Sequence, residues 1–344
     1  MHQVMTRFLT ALLFISLLFS GSPVVAFTQG KSSLFTQLTR EEGVKMTLEA
    51  DFTSLVANKK TNNYYSGTLT TADGKTYRVD IRSRGKFRRR LSEIPPLKLK
   101  FAKKPLIAQG LDTLNEIKLV LPYNFTPEAE ELVLREYAIY RMYEALTPYS
   151  LRARLIRLTL NDTHVGKSYK NFFAILIEHE EELCARLGVS TYDQYGVSPD
   201  SLNQEQAALT AVFQYMIGNT DWDISMLRNV RLLRHADGGP IGVIPYDFDF
   251  AGAVGAPYAT PTLESGLSST RDRFLMADGI QQEAIHQAIA LIRERKKDIF
   301  TAARCKYLSR NASQNMINYL SEFFDLIETR KELPGVHRSS QGSR

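Results

Sequence analysis

Cysteine is nearly absent from this chain. Cys184 and Cys305 are the only two in 344 residues, which excludes both a disulfide-stapled scaffold and an all-cysteine zinc site. The six histidines, His164, His179 and His235 among them, show no metal-ligand spacing, so each reads as an ordinary surface histidine. There is no Gly-x-Gly-x-x-Gly or Walker-type phosphate loop, no Gly-x-Ser-x-Gly elbow and no His-Glu-x-x-His, which removes the common short signatures for nucleotide, hydrolase and zinc-protease chemistry. Charge of either sign is also scarce in net terms. The 43 basic residues exceed the 37 acidic ones by only six, with a pI near 9.1, a bias that suits an anionic ligand without specifying one. What remains is ordinary globular composition, 44% hydrophobic and 23% charged. At roughly 100–200 residues per domain, the length accommodates two domains or two lobes around a cleft.

Residues 1–26 run from a start carrying Arg7 through an apolar stretch from Phe8 to Phe19 and a Gly-Ser-Pro break to Val24-Val25-Ala26. That order is the pattern of a secretory signal peptide, with cleavage expected after Ala26. The apolar run is about 12 residues and a membrane span needs roughly 20. No later stretch is long enough either, so the expectation is an exported protein, periplasmic or extracellular, with no transmembrane segment after cleavage. Export permits a Cys184–Cys305 disulfide, but Cys184 lies in the helical pattern EHEEELCARLG and is expected to be an unpaired, small buried hydrophobe.

From Val44 to about Leu160 short alternating runs bounded by Gly, Pro, Asn and Asp read as strands, with Asp73-Gly74 as a hairpin turn. One helix interrupts them: Thr126-Pro127-Glu128 is a capped start, and helical spacing continues to Pro148. Beyond Glu178 the pattern turns helical, broken by a polar segment with two short strands. The expected plan is α+β, with a signal peptide (1–26), a strand-rich N-terminal lobe of antiparallel sheet plus one helix (27–178), a helical C-terminal lobe carrying the polar loops (179–332) and a disordered tail (333–344).

Two aspartate-bearing segments carry the clearest chemistry. Asn219-Thr220-Asp221-Trp222-Asp223 is followed by Asn229, and the strand Ile241-Gly242-Val243-Ile244 ends in Tyr246-Asp247-Phe248-Asp249-Phe250. Mg²⁺ takes one or two carboxylate or amide oxygens together with phosphate and water, and Asn229 with Asp247 would supply them. Asp221 or Asp223 would accept a proton from a hydroxyl nucleophile. Aspartates at an apolar strand end are costly unless they meet a cation or a donor. A second signal is basic: Arg82 to Arg90, then Leu97-Lys98-Leu99-Lys100-Phe101, where alternation puts both lysines on one strand face. A lysine there can bridge phosphates, with Glu136 on the capped helix as a candidate to orient it. The Arg88–Arg90 run reads as a solvated loop. Phe172 to Glu178 is an apolar strand ending in acid where strand gives way to helix, the place of a hinge. No nucleic-acid module accompanies the basic stretch.

This order of basic loop, Leu-Lys-Leu-Lys-Phe strand, helix, hinge ending in Glu178, Asn-x-Asp-Trp segment and Asp-Phe-Asp strand end resembles the spore-coat kinase-like (CotH) family of atypical protein kinases, from about Arg82 to Gly255. The resemblance implies a bilobal protein-kinase-like fold, with ATP and Mg²⁺ as cofactors and a protein or small-molecule hydroxyl as acceptor. It implies Arg84, Lys98 or Lys100 on nucleotide phosphates, Glu178 at the hinge, Asp221 as catalytic aspartate with Asp223 as its rival, and Asn229, Asp247 and Asp249 on metal. The alternative is a catalytically inactive relative, a binding or envelope-assembly protein that holds an anionic partner in the cleft or on the 86–90 loop.

Overall fold

The computed structural model describes residues 31–329, 333 and 335–336. The signal-peptide segment 1–26 and most of the tail 333–344 lie outside the described residues. The architecture is α+β, strand-rich first and helical later, and the N-terminal strands pair antiparallel as expected except at one parallel pair. Seven of them close a barrel in the order β1 (Val44–Ala50), β2 (Tyr65–Thr71), β3 (Thr76–Ser83), β4 (Leu97–Phe101), β5 (Glu116–Val120), β7 (Ser168–Glu178), β6 (Ala153–Asp162). The seam is a parallel pairing of β1 with β6, from Val44 opposite Ile156 to Ala50 opposite Asp162. Closure removes both exposed edges, which alternation alone does not reveal. Four short helices decorate the barrel: α1 (Leu34–Leu38), α2 (Phe52–Ala57), α3 (Arg88–Leu91) and α4 (Lys103–Ala108). Leu34, Phe35 and Leu38 of α1 join the barrel core.

Local chemistry accounts for the elements that follow. Thr126 caps α5 (Pro127–Leu146) by accepting from the Ala129 amide, Pro127 supplies the first turn's φ, and Glu128 and Glu130 sit at its positive end. Gly74, at φ +80°, makes the β2–β3 turn at Asp73-Gly74. Along β4, Leu97, Leu99 and Phe101 point into the barrel while Lys98 and Lys100 point out. That alternation disappears in β5 and in the last seven residues of β7, because both faces are covered there. Phe172, Ala174 and Leu176 fill the barrel, while Phe173, Ile175 and Ile177 belong to a second core shared with α5 and the helical half.

That second half contains α6 (Glu180–Leu187), a sheet ordered β10-β9-β8 from β8 (Val189–Thr191), β9 (Val230–His235) and β10 (Gly238–Pro245), and α7 (Gln204–Ile217), which packs against β10. Asn203 caps α7, and Gly218 ends it at φ +67°, with the Tyr319 hydroxyl 1.9 Å from where a Cβ would stand. After β11 (Leu275–Met276) come α8 (Gln282–Glu294), α9 (Lys296–Ala303) and α10 (Arg310–Thr329). Gly335–Val336 (β12) pairs in parallel with β11, so ordered backbone reaches two residues of the tail. Cys184 and Cys305 are free and half-buried.

Candidate functional site

The β9–β10 hairpin and the turn before it bring three of the expected polar residues together. Asn229 leads into β9 and opposes the end of β10, its carbonyl accepting from the Tyr246 amide at 3.0 Å, which leaves Asp247 one residue away. The Asn229 amide group donates to the Asp221 carboxylate at 2.9 Å and to the Asp221 carbonyl at 2.6 Å. Asn229 and Asp247 are both left-handed, at φ +53° and +62°. Such backbone is unfavourable for residues with a side chain and concentrates at functional sites. The Tyr140 hydroxyl on α5 accepts from the Asp247 amide at 2.9 Å and fixes that residue.

Asp223 does not join them. Its carboxylate accepts from the Ser225 hydroxyl and the Met226 amide, both at 2.8 Å, and so builds the turn. Asp221 faces the cluster. Burial raises its pKa, the neighbouring Asp247 adds to that, and Arg228 and Asn229 work against it. A carboxylate shifted upward is better suited to accept a proton near neutral pH.

The expected solvated run is found only at Arg90, since Arg89 is half-buried and Arg88 is the buried hub of the site. Its guanidinium is bonded to Glu136 of α5 at 2.9 Å, to Asp247 at 2.6 Å and to Asp249 at 3.1 Å. One cation thus serves three carboxylates. Burial pushes Glu136 upward, and it pushes Asp249 up to about 8 despite the guanidinium beside it. Asp249 also accepts from the Tyr258 hydroxyl at 3.2 Å and is nearly inaccessible.

The basic side of the site comes from elsewhere than expected. Lys98 pairs with Glu116, and Lys100 lies 3.9 Å from the same carboxylate, so neither meets Glu136. Lys118 is the lysine that turns inward. It stands opposite Lys98 on β5, nearly inaccessible, 2.5 Å from Glu180 and over the ring of Tyr246 at 5.6 Å. Burial lowers it to about 8, and the charges of Arg84 and Arg231 push the same way. Burial alone would raise Glu180, but Lys118 and Arg231 hold its acid well below the usual carboxylate range. Arg231 of β9 bonds Glu180 at 3.0 Å and stacks 4.9 Å from the Tyr246 ring. Half-buried Arg84 is close enough to bias Lys118, Glu136 and Tyr246. Glu178 belongs to the framework: wholly buried, it accepts from the Arg152 amide and the Arg186 guanidinium, and its own amide is spent on the Arg152 carbonyl.

Lys118 and Arg231 were not singled out by sequence patterning. The signal for Lys118 was a lone cation in an apolar strand directly before the capped helix that carries Glu136. Arg231 has no such signal, since its role depends on a side chain 51 residues away.

Among the described residues no three or more carboxylate, His or Cys side chains gather as a metal-ligand group, so any hard divalent cation would rest on the oxygens left open by Asn229 and Asp247. Asn229 spends its amide hydrogens on Asp221 and keeps its oxygen, and Asp247 gives Arg88 one oxygen and keeps the other.

No family model and no curated protein matches the chain. Among solved structures, the Helicobacter pylori proinflammatory kinase CtkA is similar over 66% of this chain and 89% of its own, at 11% identity and a TM-score of 0.39.

Proposed function

We propose that this chain is an exported ATP-dependent phosphotransferase that moves a γ-phosphoryl group to a hydroxyl of a protein or small molecule. The meeting of Asp221, Asn229 and Asp247 beneath the cations Arg84, Lys118 and Arg231 carries this proposal. Phosphoryl transfer needs little covalent chemistry from the protein. It needs positioned cations, hard oxygen ligands and a carboxylate to take the acceptor's proton, and the residues named above would supply them. Asn229 and Asp247 would hold Mg²⁺, which when bound neutralises charge on the phosphates. Arg84 and Lys118 would face the phosphates, with Lys98 and Lys100 farther out on the same strand face, and Asp221 would accept the hydroxyl proton. Arg88 keeps α5 and the Asp247 strand end in register.

The test is the melting temperature with and without Mg·ATP, together with label transfer from ATP. Wild type is expected to shift and to transfer label, and Asp247→Ala to do neither. Wild type that neither shifts nor transfers label overturns the proposal.

One observation favours a second reading, a cleft that binds an anion without catalysis. Arg88 already neutralises part of Asp247, at 2.6 Å, as a built-in cation would. In that case Asp221→Asn leaves anion binding intact and wild type yields no labelled product.

A further inference from the structure

The net charge of +6 conceals a strong asymmetry. Residues 59–104 contain 14 lysines and arginines against three acids, Asp73, Asp80 and Glu93, which leaves the rest of the chain net acidic. The three acids are engaged: Asp73 accepts from Thr71, Asp80 from Ser66 at 3.1 Å, and Glu93 pairs with Lys167 at 3.0 Å.

Arg88 is buried in the site, but Lys59, Arg82, Arg89, Arg90 and Lys100 share one face of the barrel. Lys59 donates to the Arg90 carbonyl at 3.3 Å and receives Arg89 at its own carbonyl at 3.4 Å, which ties the end of α2 to α3. Arg82 reaches Asn62 at 2.9 Å, and the Tyr64 ring lies 5.4 Å from Arg82 and 5.7 Å from Lys100, which ties the same loop to β3 and β4. On this surface Lys60, Lys86 and Arg90 are exposed. Set among them are large apolar side chains that also face water: Tyr64 at 40%, Phe87 at 39% and Leu91 at 41% exposure.

We propose that this face of the barrel binds an anionic lipid bilayer as a peripheral surface. Cations alone would suit any polyanion, since charge attraction does not depend on what bears the phosphates. The apolar residues decide between partners. Exposed aromatic and leucine side chains interleaved with lysine and arginine match the two layers of a bilayer interface, with headgroup charge outside and acyl chain beneath. A soluble polyanion offers nothing to Leu91.

The test is sedimentation of the full chain with vesicles of phosphatidylglycerol in phosphatidylcholine, against phosphatidylcholine alone. The triple variant Lys60→Ser, Lys86→Ser, Arg90→Ser and the single variant Leu91→Ser keep the same apolar N-terminus, so any contribution from residues 8–19 is common to all. All four positions are exposed and their replacement leaves the cores intact. Wild type is expected to bind the anionic vesicles and to be released by added salt. The triple variant should bind on the order of 100-fold more weakly, at about fivefold per cation near an anionic surface. Leu91→Ser should weaken vesicle binding several-fold, about what losing one interfacial apolar side chain costs, while leaving binding to soluble polyphosphate unchanged. Equal binding of wild type and triple variant to anionic vesicles overturns the proposal. So does polyphosphate binding as tight as vesicle binding with no effect of Leu91→Ser on either, which would make the surface a polyanion site.

Discussion

Replacing Arg88 with methionine tests whether one guanidinium holds the two halves of the molecule together. Methionine fills the stem's space but leaves Glu136, at 1% exposure, and Asp249, at 5%, without their shared cation. Asp247 is partly open to water and contributes less to the loss. Breaking a buried pair by removing one partner costs about 3–5 kcal/mol, because the charge left behind is neither solvated nor neutralised. The pH dependence gives the mechanism away. Burial already holds the pKa values of Glu136 and Asp249 above their unfolded ones, and without Arg88 both rise further. A carboxyl raised in the folded state contributes stability that is fully present below its unfolded value, near 4, and is lost as pH rises through the folded value. Urea denaturation of Arg88→Met against wild type should therefore show a wide gap at pH 8 and a narrow one at pH 5. Adding Glu136→Gln should recover part of the loss at pH 8. Equal losses at both pH values would mean that packing, not charge, is what Arg88 supplies, and no loss at pH 8 would refute the hub altogether.

Glu182 provides an independent check on burial. It accepts from Ser33 and is pushed up to about 7, first by burial and then by Glu178 and Asp112. Glu182→Gln keeps the acceptor oxygen, so the variant should be more stable than wild type at pH 8 by roughly 1–3 kcal/mol, with the difference shrinking as pH falls and vanishing below about pH 4. The two aspartates of the 221–223 segment should separate cleanly in single-turnover label transfer. Asp221→Asn is expected to slow it by about 100-fold or more, as loss of a general base does, while Asp223→Asn, which preserves an acceptor for its turn, stays within about twofold. The reverse order would reassign the base.

Local signals made much of this legible in the sequence. The capped start at Thr126 and Pro127, the Asp73-Gly74 turn and the alternation of β4 are written in neighbouring residues, and each is found where it was read. Asn229 and Asp247 were paired because a hairpin end gathers polar groups, and the hairpin does so. What depends on distant partners was not legible. Arg88 looks like Arg89 and Arg90 until three carboxylates from positions 136, 247 and 249 close on it. Lys98 and Lys118 have the same alternating context, and only the covering of β5 by the helical half decides that Lys118 is the buried one. The barrel seam has no local trace at all, since each strand of it is an ordinary alternating run.

That seam also sets an order of events in the cell. As the chain is made from its N-terminus, β1 has its hairpin-side neighbour β2 soon after synthesis. Its other edge waits for β6, 112 residues later at the pairing of Val44 with Ile156. Until then the nascent barrel is an open sheet with an unpaired edge and an apolar interior, the state in which chains most readily pair with the wrong partner. Closure must also await formation of α5, which lies between the two strands in sequence. Barrel closure is therefore a long-range step with high loop-closure cost, completed only when β7 takes its place between β5 and β6.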